Sequence, residues 1–420
     1  MADFLRWSTK GNTIPSWIVG RTRQSGRVLS WSDMAPAKSK LKIIVSGMLA
    51  DNPGQGGAAW AVLQYVLGLS RLGYDVYVIE PINDKQLAGA SLKHSKNADY
   101  FLGVIRSFGL EGRASLLLHE TTETVGLDYA ELRAICRTAT ALLNISGMLQ
   151  RADLIESIPH RVYLDLDPAF NQLWHATQGI DMRFSAHNHF VTVGRALGQP
   201  TCLIPTCGVQ WITTFQPVVL EYWPVGGQIL YDAFTTIGNW RGYGSIQHGG
   251  VFYGQKAHSL RAFIDLPLKS SGKFMLALAI HPGEVNDLDA LARNGWVLLD
   301  PVKLAETPEQ YRKFISGSKA EFGIAKSGYV VSRCGWFSDR SACYLACGRP
   351  VLAQDTGFDA YLPCGEGLFS FGSEAGAIRA IESINSDYAR HSRAARSIAM
   401  EYFESNVVLS KLLTAIGLSQ

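Results

Sequence analysis

The sequence predicts an α/β protein with two Rossmann-like, parallel-sheet domains. Three observations predict it. The chain has 420 residues, more than a single hydrophobic core usually organises. Short runs rich in Val, Ile and Leu recur along it, separated by helical patterns, and strands covered on both faces read as continuous apolar runs. Finally, residues 328–358 read as one complete βαβ unit, and the two halves of the chain share this plan without sharing sequence.

Composition sets the class. Apolar content of 47% and charged content of 18% are those of a folded globular chain, not a disordered one. A formal net charge of +3 gives no reason to invoke nucleic acid and suits an anionic small substrate equally well. No apolar run approaches the ~20 residues that span a bilayer, and the N-terminus has no secretory apolar region. The seven cysteines have neither zinc spacing nor a CxxC pair, so reduced core thiols in a cytoplasmic protein are expected.

Residues 1–40 stand apart as a basic extension containing Trp7, Trp17 and Trp31. Interleaved cations and tryptophans allow weak peripheral contact with an anionic membrane, although Pro15 and Pro36 interrupt any amphipathic helix. The first domain, 41–216, opens with the strand LKIIVS at 41–46. A loop with Asp51, Gly54, Gly56 and Gly57 follows, then a helix over 58–72 and the strand DVYVIE at 75–80. These glycines do not make the dinucleotide fingerprint G-x-G-x-x-G. A helix and strand over 97–118 and strands at 139–145, 161–166 and 190–194 complete the domain. Ligands of such sheets bind beyond the carboxyl ends of the strands, which singles out the 47–57 loop, residues 144–147 and Asp167.

Residues 217–228 read as a linker and 229–395 as the second domain. Its elements are a strand at 229–236, the loop GNWRGYG at 238–244, a helix over 253–263, strands at 274–280 and 296–299, and a helix over 307–321. In the 328–358 unit, residues 329–332 suit a buried strand and 333–337 a tight loop. Ser338 is placed as the N-cap of a helix reaching Cys347, Gly348 and Pro350 stop it, and 351–353 is the next strand. Helical residues from 388 to 413 close the chain, and 396–420 is expected to cross back to the first domain.

Unpaired N–H groups at a helix N-terminus beside Arg333 and Arg340 suit a phosphate or diphosphate. The stretch RCGWFS, its small-residue helix and GRPV resemble the donor-binding segment of GT-B glycosyltransferases. The GG–helix–LGYDVYVIE pattern resembles the opening of their first Rossmann-like domain. Arg333 departs from the pattern, standing where many relatives have histidine. The resemblance implies that the two domains face a central cleft, and that the protein is a metal-independent glycosyltransferase of hexosyltransferase type, without a cofactor, using a nucleotide sugar, UDP-sugar being the first expectation. The implied donor-binding residues are Gly56, Gly57, Asn239, Trp240, Lys256, Arg333, Ser338, Asp339, Arg340, Asp355, Thr356 and Gly357. As catalytic residues, Asp51 and Asp167 fit by loop position, with His187 and His189 as alternatives. Trp240 in packing and Asp339 in helix capping are equally open. The acceptor, whether glycolipid, polysaccharide or small molecule, stays open. A nucleotide-sugar epimerase of the same fold and a non-catalytic sugar-nucleotide binder are the rival readings.

Overall fold

The computed structural model describes residues 40–418, so the expectations for the basic N-terminal extension, Lys40 apart, lie outside the described residues. Two sheets organise the chain. The first contains β1 (Lys42–Ser46), β2 (Asp75–Ile82), β3 (Ala114–Leu118), β4 (Thr124–Gly126), β5 (Ala141–Ile145), β6 (His160–Asp165), β7 (His189–Thr192) and β8 (Trp211–Thr213). Their order is β4-β3-β2-β1-β5-β6-β7-β8. Every pair is parallel except β3 with β4. Strand order reverses between β1 and β5, the switch point at which such sheets leave a crevice.

The second half contributes β9 (Tyr231–Asn239), the hairpin β10 (Ile246–His248) and β11 (Val251–Tyr253), then β12 (Phe274–Ala279), β13 (Val297–Leu298), β14 (Ser318–Gly323), β15 (Val351–Gln354) and β16 (Leu368–Phe371). Without the hairpin these form a wholly parallel sheet of order β13-β12-β9-β14-β15-β16. Both sheets are thus Rossmann-like, as the alternation of elements predicts.

Three readings in the second half need correction. The apolar run at 329–332 is not a strand but part of the helix Ser327–Ser332; a run of four cannot be told from a buried helical segment by periodicity. The strand feeding the unit is β14, which lies inside the stretch read as helix 307–321. That helix does start at Thr307, through a capping box with Gln310 and Pro308 at its first turn, but it ends at Gly317. Glu321, the last residue of that reading, is a wholly buried strand residue beneath Arg340. The region read as helix 253–263 begins with the end of a hairpin. Gly249 and Gly250 join its strands at φ +58° and +77°, the left-handed pair that a two-residue turn requires.

The halves share a continuous core. Trp60, on the helix Gly56–Arg71, packs against Phe108, Tyr222 and Trp223 and donates its indole N–H to Pro308 O at 2.8 Å. The helix Ser405–Ala415 lies on the same first-half helix, where a Cβ on Gly68 would come 2.5 Å from Leu409. Arg71 anchors the junction through Glu404 at 3.0 Å. All seven cysteines are unpaired, and among the described residues no helix is long and apolar enough to cross a membrane.

Candidate active site

A cavity of about 580 Å³ lies between the halves. Its wall follows the carboxyl ends of the first sheet: Asp51 after β1, Asn83 and Gln86 after β2, His119 after β3, Ser146 after β5 and Asp167 after β6. Tyr243, Trp336 and Asp339 face them from the second half. This is the crevice that the switch point between β1 and β5 leaves open.

Asp51 is held there by its backbone. Glu80, on β2 and wholly buried, accepts the N–H groups of Ala50 and Asp51 at 2.7–2.9 Å. Asn97 donates to the carbonyls of the same two residues at 2.8 and 3.1 Å. Asp51 lines the cavity with its Oδ2 accepting Asn52 Nδ2 at 2.8 Å, its pKa raised by partial burial and held back by a hydrogen bond from Gln86. Burial also pushes Glu80 up to about 8, against the N–H groups it accepts.

Asp167 is arranged differently. Its Oδ2 takes Lys326 Nζ at 2.9 Å and the hydroxyl of Tyr243, while Oδ1 takes the hydroxyl of Tyr329. Lys326 also lies over the Tyr243 ring, 4.0 Å from its centroid. Both carboxylate oxygens are therefore engaged by the second half. The partner two residues earlier, Asp165, is buried and accepts Asn171, Gln172 and Thr192 at 2.6–2.7 Å; burial lifts it to about 6. Each oxygen of both aspartates thus has a protein partner. His187 is buried, bonded to Asn144 at 3.0 Å, and His189 stacks on His160; neither lines the cavity.

In the second half, the helix Asp339–Ala346 points its N-terminus at the cavity through Asp339. Ser338 is the N-cap residue, but its hydroxyl caps no backbone N–H of the helix and instead meets Asp339 at 3.3 Å. The first-turn amides keep the partial positive charge of a helix start. Ser338 and Arg340 border a small neighbouring void between this helix, β14 and β15.

Several expected donor residues have partners of another kind. Arg340 runs beneath the helix to Glu321, 2.6 Å away, and to Ile237 O. Lys256 is buried and donates to Ile324 O at 2.8 Å; burial and nearby Arg340 push its pKa well below the usual lysine range. Trp240 is buried against Asp287, its indole N–H 2.9 Å from the carboxylate, which is the packing role left open above, while Asn239 is exposed. Gly56 and Gly57 lie where a Cβ would strike Thr307 O at 2.2 Å and the Tyr311 ring at 2.8 Å, so they admit the helix Pro308–Gly317. Arg333 is half-exposed and pairs with Asp355 at 3.1 Å. Gly357 N–H bonds Asp355 at 2.7 Å, and Thr356 accepts Gly335 N–H at 2.8 Å. This knits the 333–338 loop to the end of β15. Of all the expected site residues, Asp51, Asp167 and Asp339 line the cavity.

Glu80, His119, Tyr243, Lys326 and Trp336 were not singled out from sequence. A buried glutamate ending a strand run, DVYVIE, was the one available signal. Tyr243 and Lys326 act through Asp167, distant in the chain, which no local pattern reports. Among the described residues no three His, Cys, Asp or Glu side chains gather to hold a metal ion.

No protein-family profile matches the chain, and no curated protein matches its sequence. Solved structures do match its shape. Anabaena Alr3699/HepE in complex with UDP-glucose superposes with a TM-score of 0.56 at 12% identity, covering 90% of this chain and 99% of that one. An alpha-glucosyltransferase in complex with UDP and a 13-mer DNA gives 0.56 at 10% identity, over 90% and 99%. Sucrose-phosphate synthase (tll1590) from Thermosynechococcus elongatus gives 0.51 at 9% identity, over 91% and 100%. The fold is GT-B. In this frame the cavity occupies the GT-B cleft, with the first sheet's carboxyl edge on one side and the Asp339–Ala346 helix on the other.

Proposed function

We propose that this protein is a glycosyltransferase that moves a sugar from a nucleotide diphosphate sugar, a UDP-sugar first, to a hydroxyl acceptor. The observation that carries the reading is the cleft itself: an uncapped helix N-terminus faces a cavity whose opposite wall presents Asp51. The helix start suits a diphosphate, whose charge its amides and dipole stabilise as the bond to the sugar breaks. Ser338, Asp339, Arg333 and Gly357 would form the donor side, the loop pair knitted by Asp355 and Thr356 giving it shape. Lys256 and Arg340 would support it from below. Arg340, paired with Glu321, and Lys256, held by Ile324 O, would shape the base of the helix start without touching the ligand. UDP is favoured because the HepE and alpha-glucosyltransferase structures are complexes with UDP or UDP-glucose.

Asp51 is the group placed to receive a proton. The acceptor oxygen would bond to the anomeric carbon, the bond from that carbon to the diphosphate would break with its electron pair leaving on phosphate, and the acceptor proton would pass to Asp51. No metal or cofactor is assigned a step. The first domain would present the acceptor, and the second would hold the donor.

A thermal-shift panel of UDP-, GDP-, dTDP- and ADP-glucose tests the donor. At about 100 times its dissociation constant the true donor adds ~2.7 kcal/mol of stability. We expect the largest shift with the UDP-sugar, weakened in Arg333→Ala. No shift with any of the four would sink the proposal.

A further inference from the structure

The loop after β1 turns its backbone onto a carboxylate of the same chain. On β2, Glu80 lies two residues past Val78, which pairs with Val45 of β1, and its side chain reaches under residues 49–51. Its Oε1 accepts the N–H groups of Ala50 at 2.8 Å and Asp51 at 2.7 Å, and its Oε2 accepts Ala50 N–H at 2.9 Å. The Leu49 N–H also donates to it. Three successive N–H groups converging on one carboxylate form a nest, the backbone device that holds anions in phosphate-binding loops. Here the nest is filled from within, by a wholly buried side chain. Asn97, on the helix Lys96–Ser107, bonds the carbonyls of Ala50 and Asp51, so the N–H and C=O groups of both residues are held. The charged side chain beside Glu80 is Asp51, of like sign, and the N–H groups are what offset burial of the carboxylate.

We propose that Glu80 is a positioning residue of the transfer reaction: its carboxylate occupies the nest of residues 49–51, fixes the backbone that carries Asp51 to the cavity, and closes this loop to the donor diphosphate. The proposal rests on the transferase reading for the role of Asp51, whereas the filled nest stands without it. A phosphate approaching the loop finds its N–H groups taken and the carboxylates of Glu80 and Asp51 beside them. The donor's charge is therefore met from the second half, at the helix Asp339–Ala346 and Arg333. Gly56 and Gly57 agree with this division, because the helix Pro308–Gly317 packs on them. Fixing the Asp51 backbone matters because a general base acts only within hydrogen-bond reach of its proton, and a misplacement of about 1 Å can cost ~10²-fold in rate.

Glu80→Gln keeps the shape of the side chain but replaces one acceptor oxygen with an NH2 that faces the nest N–H groups. Hydrogen exchange on the full chain should show the amides of 49–51 exchanging at least about ten-fold faster in this variant, with those of β1 and β3 unchanged. The rise in melting temperature given by UDP should equal that of the unsubstituted chain. Hydrolysis of UDP-glucose, with water as the acceptor, should fall in kcat at constant KM for UDP-glucose. In a chain already carrying Asp51→Asn, Glu80→Gln should lower that rate no further, which a merely structural role would not produce. Unchanged exchange at 49–51, a smaller UDP shift, or losses that add in the double variant each overturn the proposal. Should Glu80→Gln not fold, Asn97→Ala leaves the buried carboxylate in place and carries the same comparisons. If UDP-glucose is not cleaved, exchange and the UDP shift decide. If UDP shifts nothing either, the transferase reading fails, and the exchange result still decides whether Glu80 fills the nest.

Discussion

Asp51 and Asp167 both follow strands of the first sheet at the cavity, and their surroundings separate them. Asp51 lines the ligand space with Oδ2 on its exposed neighbour Asn52, whereas Asp167 spends both oxygens on Lys326, Tyr243 and Tyr329. Replacing Asp51 with Asn should lower transfer by about 10²–10⁴-fold, the usual contribution of a general base, with the UDP-induced thermal shift unchanged. Burial raises the Asp51 pKa, so the base form is lost at a higher pH than for a free aspartate. The acid limb of kcat/KM should therefore lie above the ordinary aspartate range and vanish in the variant; a limb at or below that range would exclude this residue. Arg340 gives a contrasting case. It is nearly inaccessible and paired with a wholly buried glutamate. Arg340→Ala leaves Glu321 unpaired and should cost about 3–5 kcal/mol of stability in urea denaturation. Arg333→Ala, at a half-exposed position, should weaken donor binding with little change in the midpoint.

At the scale of elements, the close approach of two helices depends on a missing side chain. A Cβ on Gly56 would lie 2.2 Å from Thr307 O, which is backbone and cannot swing away. Gly56→Ala should destabilise by about 1–3 kcal/mol, the typical cost of overpacking, and lower transfer by shifting the 47–57 loop; an unchanged melting temperature would disprove this contact. The glycines of this loop were legible in the sequence as a turn before a helix, but their reason was not. Sequence suggested approach of a phosphate, and the structure supplies approach of another helix. The same limit explains the helix 307–321. Its capping box is local and was readable; its end at Gly317 was set by β14 entering the centre of a sheet between β9 and β15. Glu321 is polar in sequence and buried in the fold because Arg340 arrives from nineteen residues away.

For the whole molecule, the two halves are joined by a core around Trp60 and by the cluster of Asp167 with Lys326, Tyr243 and Tyr329. The cluster sits at the cavity edge and bridges the two halves, so we expect it to act as a latch on the cleft. Lys326→Met should remove about 3–5 kcal/mol by leaving Asp167 uncompensated, and small-angle scattering should show a larger radius of gyration. The double variant with Asp167→Asn should recover part of that loss, because paired groups are energetically coupled. Additive losses would show that the latch is not a unit.

The sequence by itself determined the architecture. Parallel strands buried on both faces must be apolar throughout, and their alternation with helices implies two Rossmann-like sheets. It also determined where loops fall, since glycine and helix-capping chemistry act over a few residues. Only the tertiary structure decided which of the candidate side chains face a common space. Arg340, Lys256 and Trp240 carry suitable chemistry but find partners inside the second half, while Tyr243, Lys326 and Asp167 meet across the cleft from positions far apart in the chain. Burial and pairing across such separations depend on how sheets pack, and packing is a property of the folded chain rather than of any local run.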